Sequence, residues 1–411
     1  MKLTLTRQIL LGLVIGVFVG WLVGPAHAPL FRPFSVLFLR LVKMLIAPLI
    51  FSTLVAGIAG GGHVKAVGRM AAKAIVYFEI VTTLAIGIGL LMVNLTRPGA
   101  GVVLPPHDGH PQLAPPQTWQ DFVTHIVPDS IVKAMAEGDV LQIVVFSMLF
   151  AFAVNLLGEK GKPVVAICES LAEVMFKLTN LVMLYAPVGV GCAMAYTVGH
   201  GGLGVLVNLG KLVGTLYLAL LVLIVAVFVP VAFAFRIPIR KFIRIVKEPA
   251  TIAFSTTSSE AALPRAMEVL EKFGVPRRIV ALVLPLGYSF NLDGSSLYIS
   301  LAAIFVAQAA GIHLGPGQQF GMLLMLMLAT KGVAGVPRAS LVVLSGALMQ
   351  YGLPLEGITL ILGVDELMDM ARTATNLIGN CLATVVIARW EGEFEEATDE
   401  AIDAAVLAGE M

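Results

Sequence analysis

Residues 364–376 read VDELMDMARTATN, and the stretches on either side, GITLILG and LIGNCLATVVIA, are almost wholly apolar. On a helix over 356–390 at about 100° per residue, Asp365, Asp369, Arg372, Asn376 and Asn380 fall within an arc of roughly 80°. A charge at the centre of a membrane helix costs about 2.5–3.5 kcal/mol on insertion scales, so such a stripe persists only where it faces partners, water or substrate. A static Asp–Arg–Asp network holding helices together is the structural alternative, but the two Asn residues extend the stripe beyond a simple ion pair. The planar fork of Arg372 suits a carboxylate held by two hydrogen bonds. Asp369, one turn away, can take an ammonium group, and Thr373 adds a hydroxyl near the same face. Together they describe a ligand with an amino group and a side-chain carboxylate, an acidic amino acid.

Two other clusters bear on this chemistry. Ser255-Thr256-Thr257-Ser258-Ser259 offers hydroxyls and backbone N–H groups for a second carboxylate, with Ser258 and Ser259 the candidates; a helix cap is the alternative reading. Asn291 and Asp293 flank an interruption ending at Gly294 in an otherwise apolar span. Exposed carbonyls beside a carboxylate make an oxygen cage for a hard cation.

The elements that must position these groups belong to a membrane. Of 411 residues, 58% are hydrophobic and 13% charged, against about 25% charged in soluble domains. A net charge of +1 gives no reason to expect a nucleic-acid partner. Cys168, Cys192 and Cys381 lie far apart in apolar surroundings without metal spacing, and read as buried small hydrophobes. His107 and His110 fall in a Pro-rich loop, and no cofactor is expected. The start, with Lys2 and Arg7 before an apolar run and then AHA, is similar to a signal peptide, but the run is long enough to span and reads as a retained first helix. Apolar spans are expected at 8–27, 34–60, 70–96, 138–157, 165–198 and 206–235. Lys65, Arg69, Lys73, Lys160, Lys162 and the cluster Arg236–Lys247 then share one side, which the positive-inside rule makes cytoplasmic, as it does the N-terminus. After residue 247 the apolar segments are interrupted, at AFSTTSSEAALP, YSFNLDGSSLY, KGVAGVP and the polar stripe, so that a hairpin-like segment precedes a broken span twice. Such pairs point to a transporter binding site at mid-bilayer.

AFSTTSSEAALP, NLDGSSLY, KGVAGVP and DELMDMARTATNLIGN, in that order, resemble the dicarboxylate/amino acid:cation symporters, the bacterial and archaeal relatives of the glutamate transporters. YFEIVTT, PGAG and ESLAEVMFKLTNLVMLYAPVGV extend the resemblance along the chain. It implies an all-α polytopic membrane protein with eight transmembrane helices, two re-entrant hairpins and inverted repeats, assembled as a homotrimer in the inner membrane with both termini cytoplasmic. Residues 1–69 and 138–200 would be scaffold. Residues 70–96 and 201–411 would form a transport domain moving as an elevator, with 97–137 an external loop. By the same resemblance Ser259 contacts the substrate main-chain carboxylate, Val336 lies in a gate containing Gly332, Gly335 and Pro337, Asp369 holds the amino group, Arg372 the side-chain carboxylate, and Thr373 and Asn376 the remaining polar atoms. Arg372 argues against the neutral amino acid branch, and Asp369 with Thr373 against the C4-dicarboxylate branch.

Sodium-coupled members place a carboxylate where this chain has Asn380, and a Thr where one alignment puts Val81; a one-residue slip restores Thr82. The cation-site candidates are therefore Thr82, Asn291, Asp293 and Asn380. Thr257 and Met370 stand where relatives carry an Arg, and Arg338 where many have Gly. Burial favours the protonated form of a carboxyl, so Glu79 and Asp365, with Glu260, Asp293 and Asp369, are candidate proton carriers. The expectation is uptake of glutamate or aspartate with protons, sodium being the rival ion and C4-dicarboxylates the rival substrate. An enzyme is not expected, since no HExxH or GxSxG occurs. A channel has no need of a paired carboxylate and ammonium site.

Overall fold

A computed structural model describes residues 5–59, 65–102, 104, 127–137, 140–330 and 339–398. Among these residues every regular element is helical. The α-helices are α1 (Leu5–His27), α2 (Arg32–Lys43), α3 (Ile46–Ala59), α4 (Lys65–Thr96), α5 (Ile131–Glu137), α6 (Val140–Leu156), α7 (Lys162–Met183), α8 (Ala186–Gly201), α9 (Gly204–Leu223), α10 (Val229–Ala234), α11 (Ile239–Thr256), α12 (Ser259–Lys272), α13 (Arg277–Phe290), α14 (Asp293–Ala309), α15 (Pro316–Ala329), α16 (Ala339–Gln350), α17 (Glu356–Leu362) and α18 (Asp365–Glu391). Within them, the stretches Leu11–Phe38, Arg69–Thr96, Gly204–Ala234 and Arg277–Ala309 are long and apolar enough to cross a membrane. The helix carrying the polar stripe is not among them.

Two expected spans prove to be pairs of helices. The chain turns at Met44-Leu45 between α2 and α3, and at Leu184-Tyr185 between α7 and α8. Both breaks read Met-Leu-x-Ala-Pro, at 44–48 and 183–187. Pro48 and Pro187 stand in the first turn of the second helix, where a proline has no N–H to carry on the preceding turn. The expected helix over 356–390 is likewise divided, at Gly363-Val364, so Asp365 opens α18 rather than sitting inside it.

The chain forms two compact units, each built from separated stretches. The first comprises Met1–Gly61, Leu90–Thr215 and Ile299–Leu367. In it α1 lies against α8 along Gly12, Gly16 and Gly20, where an added methyl would collide with the backbone of Pro187, Gly191 and Ala195. Small residues at every fourth position allow this approach, and in lipid that close packing supplies the attraction between helices. Phe51, Phe146 and Phe150 stack α3 on α6. The second unit comprises Gly62–Gly89, Leu216–Tyr298 and Met368–Met411, and holds most of α4, the end of α9, α10 to α13, the first turns of α14 and most of α18.

In the second unit α11 and α12 form a helical hairpin. Thr257 takes a left-handed conformation at φ 52° to end α11, and Ser258 caps α12 by accepting a hydrogen bond from the Ala261 N–H at 3.3 Å. The same unit is closed by its C-terminal segment. Glu391, its side chain only 2% exposed, meets Arg69 Nη2 at 2.5 Å and Lys73 Nζ at 2.6 Å. Glu395 N–H donates to the Gly274 carbonyl, Lys241 pairs with Glu396 at 2.9 Å, and Phe394 packs on Phe273. Gly274, at φ 106°, is a position where a side chain would strike the Glu395 carbonyl.

Lys73, and after it Arg69, hold the Glu391 carboxyl below the usual carboxylate range. A lowered carboxyl contributes stability above its unfolded value and loses it as pH falls through the folded one. Glu391→Gln is therefore expected to lower stability by about 1–2 kcal/mol near neutral pH. The difference from the parent should begin to shrink below about pH 4 and close below the lowered folded value. Thermal unfolding in detergent at the two pH values checks this.

Candidate functional site

The interruption of the broken span falls where the sequence places it. Helix α13 ends at Phe290, Asn291 leaves helical geometry at φ −127° and ψ 68°, and α14 begins at Asp293. A new helix leaves its first N–H groups without helical partners. Here Asn376 of α18 supplies one, its Oδ1 accepting from Gly294 N at 2.8 Å and from Ser295 N at 3.3 Å. Its Nδ2 donates to Ser295 Oγ at 3.0 Å. Gly294 permits this approach, because a Cβ there would lie 2.7 Å from the Arg372 carbonyl oxygen. So α18 and the start of α14 are held together by the side chain expected to face a ligand.

One turn along α18, Asn380 meets the other side of the interruption. Asn291 Nδ2 donates to Asn380 Oδ1 at 3.0 Å and to Asp293 Oδ2 at 3.1 Å. Thr82 of α4 donates to Asp293 Oδ1 at 3.2 Å. Of the two adjacent candidates on α4, Thr82 reaches the carboxylate, and Val81 is buried. Asn291, Asp293, Thr82 and Asn380 are all at most 1% exposed. Asn291 Oδ1 and Asn380 Nδ2 are buried without a hydrogen-bond partner, and so is the Tyr77 hydroxyl one and a half turns before Thr82. A buried acceptor left unmade costs about 1–3 kcal/mol, and an oxygen in that position beside a carboxylate is matched to a cation. One carboxylate with amide and hydroxyl oxygens fits a hard, singly charged ion. No cluster of three His, Cys, Asp or Glu that would hold a transition metal exists among the described residues.

One turn the other way lies the charged pair. Arg372 is 1% exposed, and its Nε donates to Asp369 Oδ1 at 2.8 Å. Thr373 Oγ1 donates to the same oxygen at 3.2 Å. The guanidinium lies over the Tyr298 ring, 4.1 Å from its centroid, a contact worth about 2 kcal/mol or more where desolvated. The two groups expected to hold opposite ends of a ligand thus pair with each other.

Within the second unit, the structure therefore brings together Thr82, Asn291, Asp293, Asp369, Arg372, Thr373, Asn376 and Asn380. Ser258 and Ser259 open α12 in the same unit, with the Ser258 hydroxyl engaged as a cap. Glu79, three residues before Thr82, is half-buried. Asp365 is fully buried and falls in the first unit. Gly332, Gly335, Val336 and Pro337 lie outside the described residues, as does Arg338. Tyr298, Ser295 and Gly294 are the contributors that stripe reasoning passed over. They sit inside NLDGSSLY, and the signal was available: a buried guanidinium needs a partner beyond one carboxylate, and the interrupted span offers Tyr298.

Residues 5–390 match the model of the sodium:dicarboxylate symporter family. The chain belongs to that family. Among curated relatives, a proton/sodium-glutamate symport protein of Bacillus subtilis is 45% identical over 98% of this chain and 96% of its own length. A protein of the same description from Bacillus caldotenax is 44% identical over 96% of each chain. A C4-dicarboxylate transport protein of Serratia proteamaculans is 42% identical over 96% of this chain and 95% of its own. This member of the sodium:dicarboxylate symporter family is accordingly a membrane transport protein and not an enzyme.

Proposed function

We propose that the chain is a secondary active symporter that takes up glutamate or aspartate together with protons. The observation that carries this is the buried Asp369–Arg372 pair on α18, one helical turn from Asn376 and two from Asn380. A buried ion pair has a large desolvation cost and must be matched in charge. An acidic amino acid can replace it atom for atom: its side-chain carboxylate takes the guanidinium, and its ammonium takes the Asp369 carboxylate. A dicarboxylate without an ammonium would leave Asp369 facing negative charge. The second carboxylate of the substrate goes to the α11–α12 tip, at Ser258 and Ser259, with Thr373 and Asn376 on the remaining polar atoms and Val336, in the gate of Gly332, Gly335 and Pro337, over the ligand.

Coupling follows from shared backbone. Neutralising Asp293, by a proton or by a bound ion, fixes the interruption at Asn291, and that interruption positions the N–H groups that bind Asn376. Glu79 and Asp365 are the further proton carriers in this reading. A second reading puts sodium at Thr82, Asn291, Asp293 and Asn380, and the unpartnered Asn291 oxygen favours it. Residues 1–69 and 138–200 act as the fixed scaffold of a homotrimer in the inner membrane, termini in the cytoplasm. Residues 70–96 and 201–411 move as an elevator.

Proteoliposomes loaded at neutral pH test the ion. An inward proton gradient without sodium is expected to drive accumulation of labelled glutamate above its external level. Accumulation under a sodium gradient alone would overturn proton coupling and leave the second reading.

A further inference from the structure

We propose that the face of α11 beside α18 is a binding site for one anionic phospholipid of the cytoplasmic leaflet. Arg240, Arg244 and Lys247 are exposed and spaced four and three apart, so they line one side of α11. The adjacent face carries Ile243, Val246, Ala250 and Phe254, which with Ala374 and Ile378 of α18 wall a cleft of about 360 Å³. Lys247 belongs to both, at the boundary of charge and cleft. The cleft follows α11 from Phe242 to Phe254, roughly 18 Å at 1.5 Å per residue. That is about the depth of one leaflet of a hydrocarbon core about 30 Å thick.

The arrangement is polarised along the helix. Basic side chains occupy the N-terminal half of α11, and the cleft continues past them toward the polar tip. The acidic residue of α11, Glu248, is engaged by Arg265 at 2.7 Å and 2.9 Å. Lys241, on another side, pairs with Glu396. Any lipid tail can cover an apolar surface in a bilayer, and a flat face would select nothing. A concave slot for one chain, with a row of cations at its headgroup end, selects a lipid whose phosphate carries net negative charge. The proposal stands independently of the transported substrate.

The test uses the full chain in detergent, with phosphatidylglycerol and phosphatidylcholine as probes. Phosphatidylglycerol is expected to raise the unfolding temperature saturably at low salt, and phosphatidylcholine to have little effect at equal concentration. The triple change Arg240→Gln, Arg244→Gln, Lys247→Gln should weaken the phosphatidylglycerol response at least tenfold. A change that fills the slot, Ala374→Trp, should remove it while leaving the charges in place. Should either variant fold poorly, Phe254→Trp with chain-brominated phosphatidylglycerol keeps the question open to measurement: saturable fluorescence quenching supports the site. Equal responses to the two lipids, no effect of either variant, or no quenching would overturn the proposal, and would mean that protein covers the cleft or that lipid covers it without selection.

Discussion

Arg372→Cys is expected to abolish saturable uptake of glutamate and aspartate while the protein still inserts and folds. The guanidinium is buried, stacked on Tyr298 and paired with Asp369. Removing one partner of a buried, hydrogen-bonded charge pair costs about 2–5 kcal/mol in binding, which is roughly thirty-fold to several-thousand-fold in affinity. The change also removes the countercharge of Asp369, while Thr373 remains beside that carboxyl. The double change Arg372→Cys, Asp369→Asn relieves the remaining charge and separates folding from recognition. It should unfold at or above the temperature of the single variant and bind acidic amino acids no better. Radiolabelled uptake and thermal unfolding on the same preparations decide the matter; acidic uptake surviving in Arg372→Cys would remove the residue from the site.

Asp293→Asn is expected to uncouple binding of substrate from the cation. Asp293 accepts from both Thr82 and Asn291, and it supplies the carboxylate of that cluster. An amide in its place removes the charge and turns one accepting atom into a donor facing the Asn291 amide. The coupling between two bound ligands is commonly about 1–3 kcal/mol. In the parent, raising the coupling cation should therefore tighten glutamate binding by about five- to 150-fold. In Asp293→Asn that dependence should flatten to within twofold. Binding titrations across cation concentration and pH measure it, and an unchanged dependence would move the cation elsewhere.

The chemistry was legible in the sequence because the chemistry is expensive. Asp369, Arg372, Asn376 and Asn380 stand out in an apolar helix for the same reason that they need partners, and the structure keeps them on the continuous helix α18. Asn291-Leu292-Asp293-Gly294 marked the interruption, since no uninterrupted span needs those residues. Asp365 lies on the same helix as the others, as its first residue after the turn at Gly363-Val364. The breaks at 44–45 and 184–185 were passed over because the flanking residues are uniformly apolar, leaving Pro48 and Pro187 as the signal. Tyr298 was missed because its partner lies 74 positions away along the chain, and spacing within one helix says nothing of which aromatic ring meets a guanidinium. Spacing along one helix also says nothing of the first turn of α14, whose Gly294 and Ser295 N–H groups the Asn376 Oδ1 accepts from.

In the proposed function Asp369 and Arg372, which pair at 2.8 Å, part to hold the ammonium and the carboxylate of one ligand. Calorimetric titration of glutamate and of succinate, which has no ammonium, into the parent and into Asp369→Asn tests it most directly. Glutamate should bind the parent at least tenfold more tightly than succinate, and Asp369→Asn should remove that preference. Succinate binding the parent as tightly as glutamate, with Asp369→Asn altering neither, would contradict the account.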